Sequence, residues 1–296
     1  MVRVMPQGEA SMLPSARFVL IVACLCACLP AHAADKNAYS LFNPTPSAQM
    51  RDLSTDRPDK TESPYTVDAG HFQIETDLIT TTRDHDKSGG GNSVKRGYSV
   101  GVTNFKAGLT HNTDVQMVVE SYLYERSTDR AAGTRTDSSA FGDITLRLKH
   151  NIWGNDEGDT AFAVMPFVKL PTNSDNIGND HVEGGVIVPY SFALTDRIGM
   201  AVMTQVNLKR DTNNRGYHSE FVNSVTAGTA LTEQLNGYAE FYTSRATEGG
   251  RHWENTVDLG LTYGVNANLQ LDTGINIGVT NAADDYNPFM GVAYRF

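Results

Sequence analysis

Period-two alternation constrains this sequence most, because it recurs throughout residues 71–296. Along 269–277, apolar or threonine side chains at every second position alternate with polar or small ones. The stretches 144–152, 198–208 and 257–265 show the same pattern. Successive residues of a strand point to opposite faces of a sheet, so this spacing predicts β-strands with one apolar face. No helical periodicity of comparable length appears.

The connections between the predicted strands alternate in length. Short turns such as HNT at 111–113 and NDEG at 155–158 separate the strands of one pair, and long polar stretches separate the pairs. We therefore predict 12 antiparallel strands joined as hairpins. The predicted long stretches are 84–96, 127–141, 172–183, 209–216, 244–252 and 280–287.

Short turns on one rim and long loops on the other are typical of outer-membrane β-barrels. The predicted strands, of 9–14 residues, are long enough to cross the hydrocarbon layer. Closure removes the unpaired edges that lipid cannot satisfy. We predict an all-β fold, a 12-stranded antiparallel transmembrane β-barrel of residues 71–296 in the bacterial outer membrane. A soluble β-sandwich is the alternative, but it does not require alternating loop lengths.

The last predicted strand runs to the final residue. In its closing letters, GVAYRF, Val292, Tyr294 and Phe296 share one face with Met290. A last strand that pairs with the first cannot fray, and its aromatic end suits the membrane interface. We expect contact with outer-membrane lipid, and recognition of the strand ending in Phe296 by the barrel-assembly machinery.

The N-terminus has the parts of a secretory signal peptide, predicted over residues 1–33. Arg3 and Arg17 precede the apolar stretch at 18–29, and Ala31-His32-Ala33 follows it. Signal-peptidase cleavage after Ala33 is one outcome, and lipoprotein processing at Cys28 is the other. The stretch is too short for a membrane-spanning helix. All three cysteines lie in this segment, so we expect no disulfide in the mature chain.

The net charge of −10 bears on the partners of the chain. An acidic exported protein is a poor partner for nucleic acid, and none is predicted. The mean hydropathy of −0.33 resembles that of a soluble protein. Apolar and polar residues alternate along the strands of a membrane barrel, so the mean hydropathy does not reveal its apolar face.

Residues 34–70 precede the first strand and are predicted to be an irregular periplasmic or lumenal segment, because they are rich in proline and show no alternation. One interpretation is a plug whose charges pair with the barrel wall, with Arg57 binding a carboxylate through two hydrogen bonds. The other is a solvated cap over the periplasmic mouth. The charged candidates are Asp56, Arg57, Asp59, Lys60 and Glu62.

A second set of charged residues is predicted to face the lumen from the strands. Such residues form either a structural ion-pair network or the lining of a solute path. Acids exceed bases among them, so an open path would favour cations. They are Glu75, Asp77, Glu120, Asp143, Arg147, Lys149, Lys169, Glu240, Asp258, Asp272 and Arg295. Four tyrosines are further candidates for the lumen: Tyr122, Tyr124, Tyr238 and Tyr242.

The stretch STDRPDKTESPYTVDAGHFQIET, Ser54 to Thr76, resembles the start of the "meta-pathway of phenol degradation" family of transporter-like outer-membrane proteins. The matching residues are Asp56, Arg57, Pro58, Asp59, Thr61, Glu62, Ser63, Pro64, Val67, Gly70, Gln73 and Glu75. Lys60 departs from the family pattern, which often has an apolar or aromatic residue there. The resemblance implies a membrane β-barrel that passes small molecules, aromatic ones included.

The expected function is passive transport of a small, aromatic or hydrophobic solute. A structural or surface-binding barrel with a closed lumen is the first alternative, and an outer-membrane phospholipase-like enzyme is the second. His150 has no serine or asparagine partner evident in the sequence, and G-x-S-x-G, CxxC and phosphate-loop motifs do not occur. No enzyme activity, cofactor or metal is therefore predicted.

Overall fold

The computed structural model describes residues 36–86, 92–156, 158–174, 177–249 and 253–296. The predicted signal peptide at 1–33, with both of its processing sites, lies outside the described residues. Two short 3-10 turns, Lys36–Ala38 and Ser47–Gln49, precede the first strand. Within the described ranges, no helix has the length and apolar character needed to cross a membrane.

Thirteen strand segments occur in the described part of the chain, and each pairs antiparallel with its neighbours. They are β1 (Phe72–Asp86), β2 (Ser93–Thr110), β3 (Thr113–Asp129), β4 (Thr134–Ala140), β5 (Ile144–Trp153), β6 (Thr160–Leu170), β7 (Glu183–Ala193), β8 (Ile198–Arg210), β9 (Tyr217–Ala230), β10 (Leu235–Ala246), β11 (Trp253–Asn266), β12 (Leu269–Gly278) and β13 (Tyr286–Arg295). Pairing of β1 with β13 closes the sheet. β4 and β5 both pair with β3 and form one interrupted strand of the wall. The barrel therefore has 12 strands, which confirms the predicted fold.

The break between β4 and β5 has a local cause at Gly142. The Gly142 N–H donates to the Glu120 carbonyl at 2.8 Å, and the Asp143 N–H donates to Glu120 Oε2 at 3.0 Å. A Cβ at position 142 would lie 2.3 Å from Glu120 Oε2. The Glu120 side chain thus occupies the space beside the backbone, and only glycine leaves room for it.

Two of the predicted long loops were wrong in extent. Strands β1 and β2 cover most of 84–96, and β3 and β4 cover most of 127–141. The residues at these hairpin ends are polar, so the sequence there lacks the apolar alternation by which a strand is recognised. Backbone hydrogen bonds pair them all the same, because an antiparallel pair can face water.

The two faces of the barrel differ in chemistry. On the outer face of β5, Leu146, Leu148 and Ile152 are 39–50% exposed. The neighbouring inward residues Lys149 and Asn151 are buried. An exposed apolar band around buried polar residues is the arrangement of a barrel in lipid.

The chain end is tied into the wall. The Phe296 N–H donates to the Phe72 carbonyl at 2.9 Å, and the Phe72 N–H donates to the Phe296 carbonyl at 3.1 Å. Their rings stack with centroids 5.9 Å apart. Recognition of Phe296 by assembly machinery stays a prediction.

The four candidate tyrosines divide into two pairs. Tyr238 and Tyr242 face the lumen, where Tyr238 lines a cavity and Tyr242 lies beneath Lys60. Tyr122 and Tyr124 instead contact the ring of Tyr98, and Tyr122 is 40% exposed. The inward prediction for this second pair was therefore wrong. The adjacent strand β2 contains Gly101 at a φ of 70°, a conformation that breaks regular alternation.

Candidate functional site: a charged segment inside the barrel

Residues 51–70, which we call the lumenal segment, lie inside the barrel and contact the wall. The segment folds back on itself between Ser54 and Ser63. The Asp56 carboxylate accepts the Ser63 N–H at 3.0 Å, and the Ser54 and Ser63 hydroxyls are 2.8 Å apart. Such side-chain hydrogen bonds replace the regular backbone pairing that the proline-rich segment does not form.

Asp56 is the centre of a buried ion cluster. Its carboxylate pairs with both Lys106 on β2 and Lys149 on β5. Its backbone N–H donates to the two Glu75 oxygens at 3.2 and 3.0 Å, and Glu75 also pairs with Lys106. Lys149 is fully buried, so its charge depends on these partners.

Arg57 binds two carboxylates of the wall. Its Nε and Nη2 donate to the Asp272 oxygens at 3.1 and 2.7 Å, and its Nη1 donates to Asp77. The guanidinium lies over Gly291, where a Cβ would be 2.1 Å from Nη2. A glycine in β13 thus makes room for the side chain that ties the segment to β1 and β12.

Lys60 and Thr61 attach the segment to strands β9, β10 and β11 of the wall. The Lys60 N–H donates to Glu240 at 2.9 Å, and its ammonium lies 3.4 Å from Asp258 and 4.4 Å from the centre of the Tyr242 ring. The Thr61 hydroxyl donates to Glu240 and lies 2.6 Å from the Ser224 hydroxyl. The segment is therefore held from two sides of the lumen.

Glu62 lies where charged and apolar parts of the wall meet. Its carboxylate accepts Arg147 Nη1 at 2.7 Å, and its N–H contacts the Met203 sulfur at 3.4 Å. Met203 belongs to an inward apolar cluster on β6 to β9. The other buried members of that cluster are Met165, Ile187 and Val222.

Three other predicted residues form a separate cluster towards the long loops. Lys169 lies 3.3 Å from Glu120 and 3.6 Å from Asp143. Asp143 also accepts the N–H groups of Thr172 and Asn179, at 3.1 and 2.8 Å. Asp143 therefore anchors the β6–β7 loop, and this cluster does not touch the lumenal segment in any recorded ion pair of the described residues.

Arg295 belongs to the rim with the short turns. It donates to the Arg51 carbonyl at 2.8 Å and lies 3.6 Å from Asp68. Arg51 in turn pairs with Asp156 in the β5–β6 turn at 3.2 Å, and Lys36 pairs with the same carboxylate. Partial burial opposes ionisation of Asp156, but Lys36 and Arg51 outweigh it and hold its pKa below the ordinary value.

Two cavities flank the turn of the lumenal segment. The first, of about 610 Å³, lies towards the short turns and is lined by Pro58, Asp59 and Tyr65 of the segment together with Ser191 and Tyr238 of the wall. The second, of about 310 Å³, lies towards the long loops. Its lining includes Glu62, Glu120, Arg147, Lys169 and Glu183. Residues of the turn therefore line both cavities.

Sequence reasoning missed several buried partners of the segment. Lys106 is 4% exposed and bridges Asp56 and Glu75, and Asp114 accepts the Val67 N–H at 3.0 Å. In β2, Asn104 and Lys106 are buried and Phe105, which lies between them, is exposed. The alternation within this strand could therefore have predicted that Lys106 faces the lumen. Asp68 and Arg51 lie in the irregular segment, where alternation offers no guide.

Comparison with known proteins gives a family and a fold. Residues 55–296 match the model of the family "Putative MetA-pathway of phenol degradation". A search of curated proteins found no significant match.

Among solved structures, the COG4313 outer membrane channel from Pseudomonas putida F1 is similar, with a TM-score of 0.61 and 11% identity over 82% of this chain and 100% of that one. The transport unit of the autotransporter AIDA-I from Escherichia coli has a TM-score of 0.55 and 9% identity over 82% and 93% of the two chains. The beta domain of the Bordetella autotransporter Brka has a TM-score of 0.51 and 11% identity over 76% and 99%. At these identities the likeness concerns the fold. Closure, the apolar outer face and this shared fold indicate a bacterial outer-membrane protein.

Proposed function

The chain belongs to the MetA-pathway of phenol degradation family of outer-membrane barrels, and we propose that it is a gated channel for passive transport of small molecules. The lumenal segment is the gate, and no chemistry is done on the solute. One observation carries the proposal: residues of the turn line both a cavity of about 610 Å³ towards the short turns and one of about 310 Å³ towards the long loops. Displacing this turn joins the two cavities into one path.

The cavity sizes and linings support a solute of limited size with an apolar body. Ligand cavities typically span about 300–1,000 Å³. Tyr65, Ala201 and Tyr238 give the first cavity an apolar and aromatic lining, with Asp59 as its acid from the segment. The second cavity is charged, which suits entry from water. An aromatic or hydrophobic molecule with a polar group meets both conditions.

The contacts of the segment support a reversible closure rather than a permanent filling. It contacts the wall through side chains and through single backbone N–H groups, and none of residues 51–70 is part of a β-strand of the sheet. Displacing the segment therefore breaks these ion pairs and hydrogen bonds but leaves the strand pairing of the barrel intact. The predicted charged residues form two groups. The residues of the segment that hold the gate closed are Asp56, Arg57, Lys60 and Glu62. The wall residues at which the gate is held are Glu75, Asp77, Arg147, Lys149, Asp258 and Asp272.

Single-channel recording in planar bilayers tests the proposal. The mature chain is compared with a chain that lacks residues 34–66, after both are checked for folded migration on unheated gels. We expect rare or small openings for the mature chain and a large steady conductance for the shortened one, with a preference for cations.

The closed structural barrel makes a different prediction for the same recording. If neither form conducts, the wall side chains themselves fill the lumen and the transport proposal fails. If both conduct equally, the barrel is an open pore and the segment is not a gate.

A further inference from the structure

Three side chains on the long-loop rim converge on one point, away from the lumenal segment. Asp211 follows β8, His218 lies at the start of β9, and Glu248 follows β10. One oxygen of each carboxylate lies close to the same imidazole nitrogen, His218 Nδ1, at 3.2 Å for Asp211 and 3.3 Å for Glu248. The three ligand atoms lie within 4.8 Å of one another.

The loops hold these side chains in place. The Asp211 N–H donates to the Gly216 carbonyl at 3.0 Å, which closes the β8–β9 loop. Glu248 is also held by Thr212, whose N–H donates to both carboxylate oxygens at 3.1 Å and whose hydroxyl donates to Oε1 at 3.1 Å. Hydrogen bonds of this kind orient a metal-binding carboxylate.

The charges of the cluster are unbalanced without a cation. A ring nitrogen carries at most one proton, so Nδ1 can donate to one carboxylate but not fully to both. Among the described residues, no lysine or arginine forms an ion pair with Asp211 or Glu248. A cation placed between the two carboxylates and the ring nitrogen would balance the remaining negative charge.

The spacing suits a tetrahedral ion. Zinc binds nitrogen and oxygen at roughly 2.0–2.2 Å, so two such ligands at a tetrahedral angle lie about 3.4 Å apart. The two observed separations, 3.2 and 3.3 Å, are close to that value. The three side chains are 13–24% exposed, so an ion can enter and water can complete its coordination.

We propose that Asp211, His218 and Glu248 bind a divalent transition-metal ion, of the zinc class, at the outer rim of the barrel. One imidazole and two carboxylates form a mixed nitrogen and oxygen set that suits zinc better than calcium or magnesium. The bound ion links the β8–β9 loop to the residues that follow β10. The site is independent of the gate, because none of its residues lines either cavity.

Calorimetric titration of the folded, full mature chain with zinc chloride in detergent tests the site. We expect one ion per chain. Asp211→Asn, His218→Ala and Glu248→Gln should each weaken binding by about tenfold or more, since each removes one of three ligands. His150→Ala is the matched control, because His150 Nδ1 lies 2.8 Å from the Thr113 hydroxyl and contacts no carboxylate in a recorded ion pair of the described residues.

Cobalt provides a second readout that a plain salt bridge would not give. Co²⁺ at a tetrahedral site absorbs strongly in the visible range, and the three variants should lose this band. Equal zinc affinity in the wild-type chain and in His218→Ala would overturn the proposal, as would the absence of binding by the wild-type chain. Folded migration on unheated gels distinguishes a lost ligand from a lost fold.

Discussion

Replacing Arg57 with alanine should unseat the lumenal segment without damaging the barrel. The guanidinium binds Asp272 through two hydrogen bonds and also pairs with Asp77. In the variant, the Asp272 carboxylate stays in the wall with a side chain that is 0% exposed. An uncompensated buried charge is the main cost of removing one partner from such a pair.

The magnitude follows from the burial of the partners. Breaking a buried ion pair costs about 3–5 kcal/mol. Asp77 is 26% exposed and can be hydrated after the change, so the lower end of that range applies. A loss of about 3 kcal/mol shifts the equilibrium between seated and unseated segment by roughly a hundredfold.

Open probability in single-channel recordings measures this shift. We expect openings that are rare in the wild-type chain to become frequent in Arg57→Ala. The control is Arg126→Ala, which removes an ion pair with Asp137 in which both side chains are about 40% exposed. Such a pair contributes roughly 0–1 kcal/mol, so the control should resemble the wild type. Equal open probabilities for all three proteins would refute the assigned role of Arg57.

Two further changes probe the wall. Gly291→Ala should lower the melting temperature and raise the open probability, because the added Cβ would lie 2.1 Å from the Arg57 guanidinium. Gly199→Ala is the control and should change neither quantity, because the space around Gly199 is open. Asp143→Asn should speed amide hydrogen exchange at Thr172 and Asn179, because an amide cannot accept all the N–H groups that bind the carboxylate. We expect a loss of local stability of about 1–3 kcal/mol that is confined to that loop. Unchanged exchange there would contradict the anchoring role of Asp143.

The fold was more predictable than the partners within it. Alternation along 269–277 and the alternating loop lengths were enough to predict 12 strands and their order, because both follow from the geometry of a closed antiparallel sheet. The polar ends of β1 to β4 were missed, since strands that leave the membrane lose the apolar face that reveals them.

The types of residue in the site could be predicted from the sequence, but their pairing partners could not. Arg57 was expected to bind a carboxylate, but nothing in the pattern selects Asp272, which is 215 residues away. A strand shifted by two residues keeps every side chain on its face, so alternation leaves the pairing across the lumen undetermined. The metal-site candidates were missed for the same reason, because Asp211, His218 and Glu248 meet only through the register of three strands.

A reversible tether gives the most direct test of the gate. The hydroxyls of Thr61 and Ser224 are 2.6 Å apart, and the sequence has no cysteine after Cys28. Thr61→Cys combined with Ser224→Cys therefore places two thiols within reach of a disulfide between the segment and β9. Conductance is recorded from this variant before and after reduction. We predict a silent barrel when the disulfide is formed and channel openings after it is reduced; openings that are equally frequent in both states would contradict the gate.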